Sequence, residues 1–498
     1  MRRGIVTAVA ALVAGALVLG GAATAPAQLP QVCLGDTTAQ GVPMLPGPPL
    51  RLGINPAGEA GALGPAVPAV PEDPARTLAA LARLRKVDSP FVVRLNRFFW
   101  SEEEAGVQRF LDLTRRYTDL GYGVELQLRY HPRPDQEGDI AAWTEWVRSI
   151  VRRFGPNPRV LALQVTNEVN FTISPDSSDG SYRGARDALI QGVIAAKDEA
   201  RRGGFEHLTI GFNWFYRTDP ANEDSFWNYL RDRGGAPFRE AVDWVGLDAY
   251  PGTFFPPVEY PGGGRDGMVA AISSLRECWM ARVGLSPSVP IHVEENGWPT
   301  GPGRSEAQQA EELRTMVTAV HDFRGTYNVT DYRWFDLRDH RTSSANLQHH
   351  YGLLRDDYSP KPAFEAYRQL VQTLSGPNEA TPYSGTVVRS PPPAPRPAPP
   401  PPRVLPVYRF ASRYVGPGAR CARRPIRMTV AGPESRAIAR VDFHVGTRRG
   451  GVDTFLPFTR ILAIPRFAPS PRHRLSASIL MRDGRRRAFA RILRVCRP

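Results

Sequence analysis

The chain has 498 residues, and 42% of them are hydrophobic. That composition is globular, excludes a wholly disordered chain, and is too long for one ordinary domain unless the domain is a barrel. The net charge of +14 is uneven: residues 401–498 hold 22 arginines, no lysine and four acids, a net of +18, which leaves the first 400 residues at −4. The split argues for two parts with different partners.

The N-terminus reads as a signal peptide over residues 1–27. "MRRG" is basic, "IVTAVAALVAGALVLGGAA" is apolar, and Ala25-Pro26-Ala27 gives a small-x-small cleavage pattern. The mature chain is therefore expected to be secreted, free or associated with the cell wall. No later run is long and apolar enough to cross a bilayer, so no stable membrane span is expected after cleavage. Export permits disulfides. Cys33, Cys278, Cys421 and Cys496 allow three pairings, and domain logic favours Cys33–Cys278 with Cys421–Cys496. No C-x-x-C or His-rich cluster points to a metal.

From residue 51 the chain alternates. Short apolar runs bounded by Gly, Pro or Asn read as buried parallel strands. They are 51–55, 91–96, 124–130, 160–168, 207–214, 243–250, 289–295 and 332–337. Helical patterns separate them. In "SEAQQAEELRTMVTAVHDF", Leu313, Met316, Val317 and Val320 share one face, and Ser305 with Gln308 makes a capping box. "PAFEAYRQLVQTL" places Pro362 at a first helical position. Eight such units predict a (β/α)8 barrel over residues 28–375. An open doubly wound sheet would want a G-x-G-x-x-G that opens a helix after the first strand, and "GINPAGEAGALGP" lacks one.

Residues 376–406 form a Pro-rich linker, extended and fairly stiff. Residues 407–498 return to strand patterns. Asp483-Gly484 between two alternating runs marks a hairpin. A small basic β-sandwich, immunoglobulin-like, is expected there. Its arginines offer electrostatic adhesion to an acidic polymer of the cell envelope, against the plainer reading of a solvated surface. No aromatic-interleaved basic motif supports nucleic-acid binding.

In a barrel, chemistry collects at the C-terminal strand tips. Here they carry Arg94 and Asn96, Tyr130 and His131, Asn167 and Glu168, Asn213 and Trp214, Asp248 and Tyr250, Glu294 and Glu295, and Trp334 and Asp336. Two carboxylates at opposing tips suit glycosidic cleavage, one protonating the leaving oxygen and one attacking or activating water. Tyr and Trp offer flat faces for sugar rings.

"LQVTNEVN" and "HVEENGWPT" resemble the two signatures of the clan A glycoside hydrolases, retaining (β/α)8 enzymes similar here to families 5 and 17. The resemblance covers about residues 50–375. It implies a secreted bacterial enzyme that cleaves a β-linked glycan without a cofactor. It makes Glu168 the acid/base and Glu295 the nucleophile, 127 residues apart. It places Asn167 on the sugar 2-hydroxyl, Tyr250 and Arg94 beside the nucleophile, Trp334 under the sugar, and His131 in the pocket wall. Neighbours on a strand point opposite ways, so only one of Glu294 and Glu295 is expected to face the pocket. Val169 stands where families 1 and 5 usually have Pro. A non-catalytic glycan-binding protein and a transglycosylase using the same residues are the alternatives.

Overall fold

In a computed structural model, the described residues are 30–56, 68–172, 174–254, 263–376 and seven strands between 411 and 494. The signal segment, most of the Pro-rich linker, Cys421, Cys496 and Asp483-Gly484 lie outside them. The chain divides into two compact units, residues 1–380 and 381–498.

The first unit is the expected barrel. Its strands are β1 (Arg51–Ile54), β2 (Phe91–Phe99), β3 (Gly123–Arg129), β4 (Val160–Val165), β5 (Thr209–Phe215), β6 (Trp244–Ala249), β7 (Ile291–Asn296) and β8 (Val329–Trp334). Each pairs in parallel with the next, and β1 pairs with β8 to close the ring. The strands are buried on both faces, as expected when helices cover the outside and side chains fill the inside. The eighth strand begins three residues earlier than its apolar run and ends at Trp334. Phe335 and Asp336 therefore lie beyond it.

The helices turn an apolar stripe toward the strands. Ile140–Phe154 buries Trp143, Val147, Ile150, Val151 and Phe154, one stripe at 3.6-residue spacing. Each such side chain stabilises the fold by roughly 1.5–3 kcal/mol. The helix starts where Asp139 accepts the Ala142 N–H. Glu306–Tyr327 has the expected capping box, with Ser305 and Gln308 bonded both ways, and buries Leu313, Met316, Val317 and Val320. A Cys33–Cys278 disulfide ties the N-terminal turn to the barrel across a sequence separation of 245. No helix among the described residues is long and apolar enough to cross a membrane.

The second unit is a small all-β domain with β9 (Ala411–Val415), β10 (Ile426–Ala431), β11 (Ile438–Val445), β12 (Arg448–Asp453), β13 (Thr459–Leu462), β14 (Arg472–Met481) and β15 (Arg486–Arg494). They form antiparallel sheets in the orders β13-β10-β9 and β12-β11-β14-β15. Constant-type immunoglobulin domains keep the fourth strand with the first sheet. Here it pairs with the second. Val441, Phe443, Ala477 and Ile479 alternate onto one buried face.

Candidate active site

The β4 tip is strained. Thr166 and Glu168 have φ of 66° and 44°, both unusual outside glycine and most costly for a β-branched residue. Bonds on every side hold them. The Glu168 N–H donates to Asn213 Oδ1 at 2.8 Å. The Asn167 N–H donates to Asp179 Oδ2 at 2.9 Å, and the Asp179 N–H returns a bond to Asn167 O at 2.9 Å. Asp179 also accepts from the Tyr130 N–H and pairs with Arg129 Nε, each at 2.8 Å. One buried aspartate from the 171–184 loop thus locks the β3 and β4 tips together.

At the β7 tip, pairing with β6 and β8 is irregular around Glu294. A bulge adds a residue and re-aims side chains. Strict alternation therefore fails at this point, and both glutamates reach the same guanidinium. Arg94 Nη1 is 2.9 Å from Glu295 Oε1, and Arg94 Nε is 3.2 Å from Glu294 Oε2. The two still differ in access. The Glu294 side chain is wholly buried, and that of Glu295 is 11% exposed. Gly246 makes the room: a Cβ there would lie 2.8 Å from Asn213 Cβ and 3.0 Å from Glu294 Cγ. Arg94 also donates to Glu125 Oε1 at 3.1 Å, Asn55 Oδ1 at 3.3 Å and Gln164 Oε1 at 2.6 Å. Burial opposes its charge, but Glu295 and then Glu294 outweigh that, so its pKa rises.

Glu168 and Glu295 come together with Asp248 of β6. One oxygen from each lies within 4.8 Å of the others. Burial first, and then the Glu295 charge, push the Glu168 carboxyl well above the usual range. Asp248 is pushed the same way by the same two causes. Glu295 is the member with a direct cation, Arg94, and a second donor, the Tyr250 hydroxyl at 2.7 Å from Oε2. Burial, with Glu295 next, raises the Tyr250 pKa and keeps that hydroxyl a donor.

The other expected residues divide. Asn167 is buried, and its Oδ1 accepts from Gln127 and Asn213 at 2.7 Å and from Gln164 at 3.2 Å. Its Nδ2 donates to Ser177 O at 2.7 Å and carries a second hydrogen. His131 is half-buried at the β3 tip, against the Phe99 and Tyr182 rings and 3.3 Å from Ser101 Oγ. Burial, then Arg129, lowers its pKa. The expectation for Trp334 does not hold. Its side chain is 0% exposed, part of the main hydrophobic core, and has no face for a sugar. The next residue lies beyond the end of β8 and takes a different place. Phe335 joins Phe171, Phe215, Tyr250 and Tyr351 in a separate aromatic cluster beside Glu295.

Asn213 and Asp248 stand among the expected strand tips but carry no role in the sequence reading, and Asp179 and Phe335 are not among them. Asp248 had a signal, since it stands two residues before Tyr250 and so shares its strand face. Asp179 had none, being one polar residue in a polar loop.

A second buried group, Glu125, His292 and Glu294, has ligand atoms within 4.8 Å of one another. Either group has the donor set for a cation. Arg94 already contacts Glu125, Glu294 and Glu295 and fills that electrostatic role in both.

No family model matches the chain, and no curated protein matches it. Among solved structures, it is similar to a family 39 glycoside hydrolase from the gut symbiont Bacteroides cellulosilyticus WH2, with 13% identity and a TM-score of 0.46, covering 83% of this chain and 79% of that one. It is similar to GH5_18 from Streptomyces cattleya in complex with GlcNAc, with 20% identity and a TM-score of 0.45, covering 60% and 74%. A Bacteroides uniformis β-glucuronidase matches with 11% identity and a TM-score of 0.39 over 85% of this chain. The chain spans 43% of that β-glucuronidase and 46% of the calcium binding mutant of Bacteroides uniformis β-glucuronidase 2.

Proposed function

We propose that the chain is a retaining glycoside hydrolase that cleaves a β-linked glycan by double displacement, with Glu295 as nucleophile and Glu168 as acid/base. One observation carries this reading. Two buried carboxyl groups at the β4 and β7 tips approach within 4.8 Å, and burial pushes the Glu168 carboxyl well above the usual range while Arg94 pairs with Glu295. Retaining enzymes hold the two carboxyl groups about 5–5.5 Å apart and inverting ones roughly 6.5–9.5 Å, and an oxygen-to-oxygen approach within 4.8 Å favours the closer arrangement.

In the first step Glu168 gives its proton to the leaving oxygen. The Glu295 carboxylate forms a bond to the anomeric carbon as the glycosidic bond breaks. Esterification removes the Glu295 charge, the second cause of the raised Glu168 pKa. Glu168, now a carboxylate, is then stable as a base. It takes a proton from water, the water oxygen attacks the anomeric carbon, and the ester opens. Arg94 and Tyr250 hold Glu295 as a leaving carboxylate in this second step. Phe335 and Tyr351 supply the apolar wall, in place of Trp334.

Export rests on residues 1–27, and Gln28 as the N-terminus of the protein recovered outside the cell tests it. Adhesion to an acidic envelope polymer rests on the +18 charge of residues 401–498. It is tested by salt-sensitive binding that is lost when the chain ends at residue 376.

Reducing-sugar release from β-glucans, mannans, galactans and acidic glycans tests the activity. The reading predicts release by the wild type and none by Glu168→Gln or Glu295→Gln. Release that persists in both variants contradicts it.

A further inference from the structure

We propose that Asp248 and Glu168 hold one proton between them, which makes Asp248 a positioning residue for the acid/base. Its kinetic test rests on the glycosidase reading above, and its spectroscopic test does not.

The geometry is of three buried carboxyl groups with one ion-paired cation. Arg94 is spent on Glu295 and, below it, on Glu125 and Glu294. Arg129 is spent on Asp179. Among the described residues, neither Asp248 nor Glu168 has an ion-pair partner. Asp248 Oδ2 takes a short bond from Asn213 Nδ2, while its Oδ1 is buried with no donor. Asn213 Oδ1 accepts the Glu168 backbone N–H, so Asn213 ties the Asp248 side chain to the Glu168 backbone. One oxygen of each of the two carboxyl groups lies within 4.8 Å of the other. While Glu295 carries its charge beside them, two carboxyl groups so placed resist ionising together, and a proton between them removes the conflict.

The surrounding charges agree. Glu168 feels Glu295, Arg129, Asp248 and Arg94, and Asp248 feels Glu295, Glu168, Arg94 and Glu294. For both, burial is the largest effect and raises the pKa well above the ordinary range. The proton balance also closes. At rest the pair carries one negative charge and Glu295 another. After proton donation the pair carries two and the ester none. The site's total stays constant while the charge moves, and water restores the proton in the second step.

Asp248→Asn in the full chain removes the second charge. Glu168 then loses its proton without creating a like-charge neighbour. The basic limb of the kcat/KM profile should move down by about one pH unit or more. An unmoved basic limb, with activity changed equally at all pH values, overturns the proposal and leaves Asp248 structural. Infrared spectra at neutral pH provide the test without turnover. Asp248→Asn and Glu168→Gln should each abolish the same protonated-carboxyl signal, and the double variant should lose no more. A signal that survives both single changes, or losses that add, overturns the proposal. If Asp248→Asn does not fold, Asp248→Ser replaces it in both tests, with the same outcomes. A wild type inactive on every glycan, with the shared signal present, sinks the hydrolase reading and spares this one.

Discussion

The Tyr250 hydroxyl donates to Glu295 Oε2 at 2.7 Å, from within a cluster of five buried aromatic rings. With Arg94 on the other oxygen, Glu295 is fixed from two sides. A hydrogen bond to a buried charge is worth about 1.5–3 kcal/mol. Tyr250→Phe should therefore lower kcat/KM by roughly 10- to 100-fold with little change in fold. Steady-state kinetics beside circular dichroism checks this.

Asp179 joins Arg129, the Tyr130 N–H and the Asn167 N–H. Removing one partner of a buried ion pair costs about 3–5 kcal/mol. Asp179→Ala should lose that much in urea denaturation and should also misplace Glu168. A stability change below 1 kcal/mol, about that of an exposed pair, would show that the lock is not where the structure puts it.

Trp334 and Phe335 should separate stability from binding. Trp334→Ala opens a core cavity and should cost about 3–5 kcal/mol. Phe335→Ala should raise KM about 2- to 10-fold through the lost ring contact, with a smaller effect on stability. The reverse pattern would restore Trp334 as the sugar platform.

His292 is buried, stacked on Trp244, with its pKa lowered from 6.5 to about 4, burial being the main cause. Between those values the unfolded chain binds a proton that the folded chain excludes. Stability thus falls as pH falls from 6.5 toward 4, by an amount on the order of 3 kcal/mol. His292→Gln should flatten that slope. Urea midpoints at pH 7 and pH 4.5, for both proteins, measure the difference.

Much of this was legible in the chain because strand tips in a barrel are set by local pattern. Asn167, Glu168 and Tyr250 follow an apolar run, Glu295 stands near the end of β7, and Arg94 lies inside β2, which runs past the expected tip to Phe99; closure brings them together. What was not legible came from backbone irregularity. The bulge at Glu294 breaks the period-2 rule, so both glutamates reach Arg94. The end of β8 at Trp334 exchanged core and pocket between Trp334 and Phe335. Asp179 acts through a loop whose path no periodicity encodes.

Azide rescue tests the central assignment most directly. With an activated β-glycoside, Glu295→Ala plus azide should give the α-glycosyl azide, because azide enters from the vacated nucleophile side. Glu168→Ala plus azide should give the β-glycosyl azide, by attack on the ester at Glu295. Rescue of Glu294→Ala instead, or of neither glutamate at the two tips, would contradict the account.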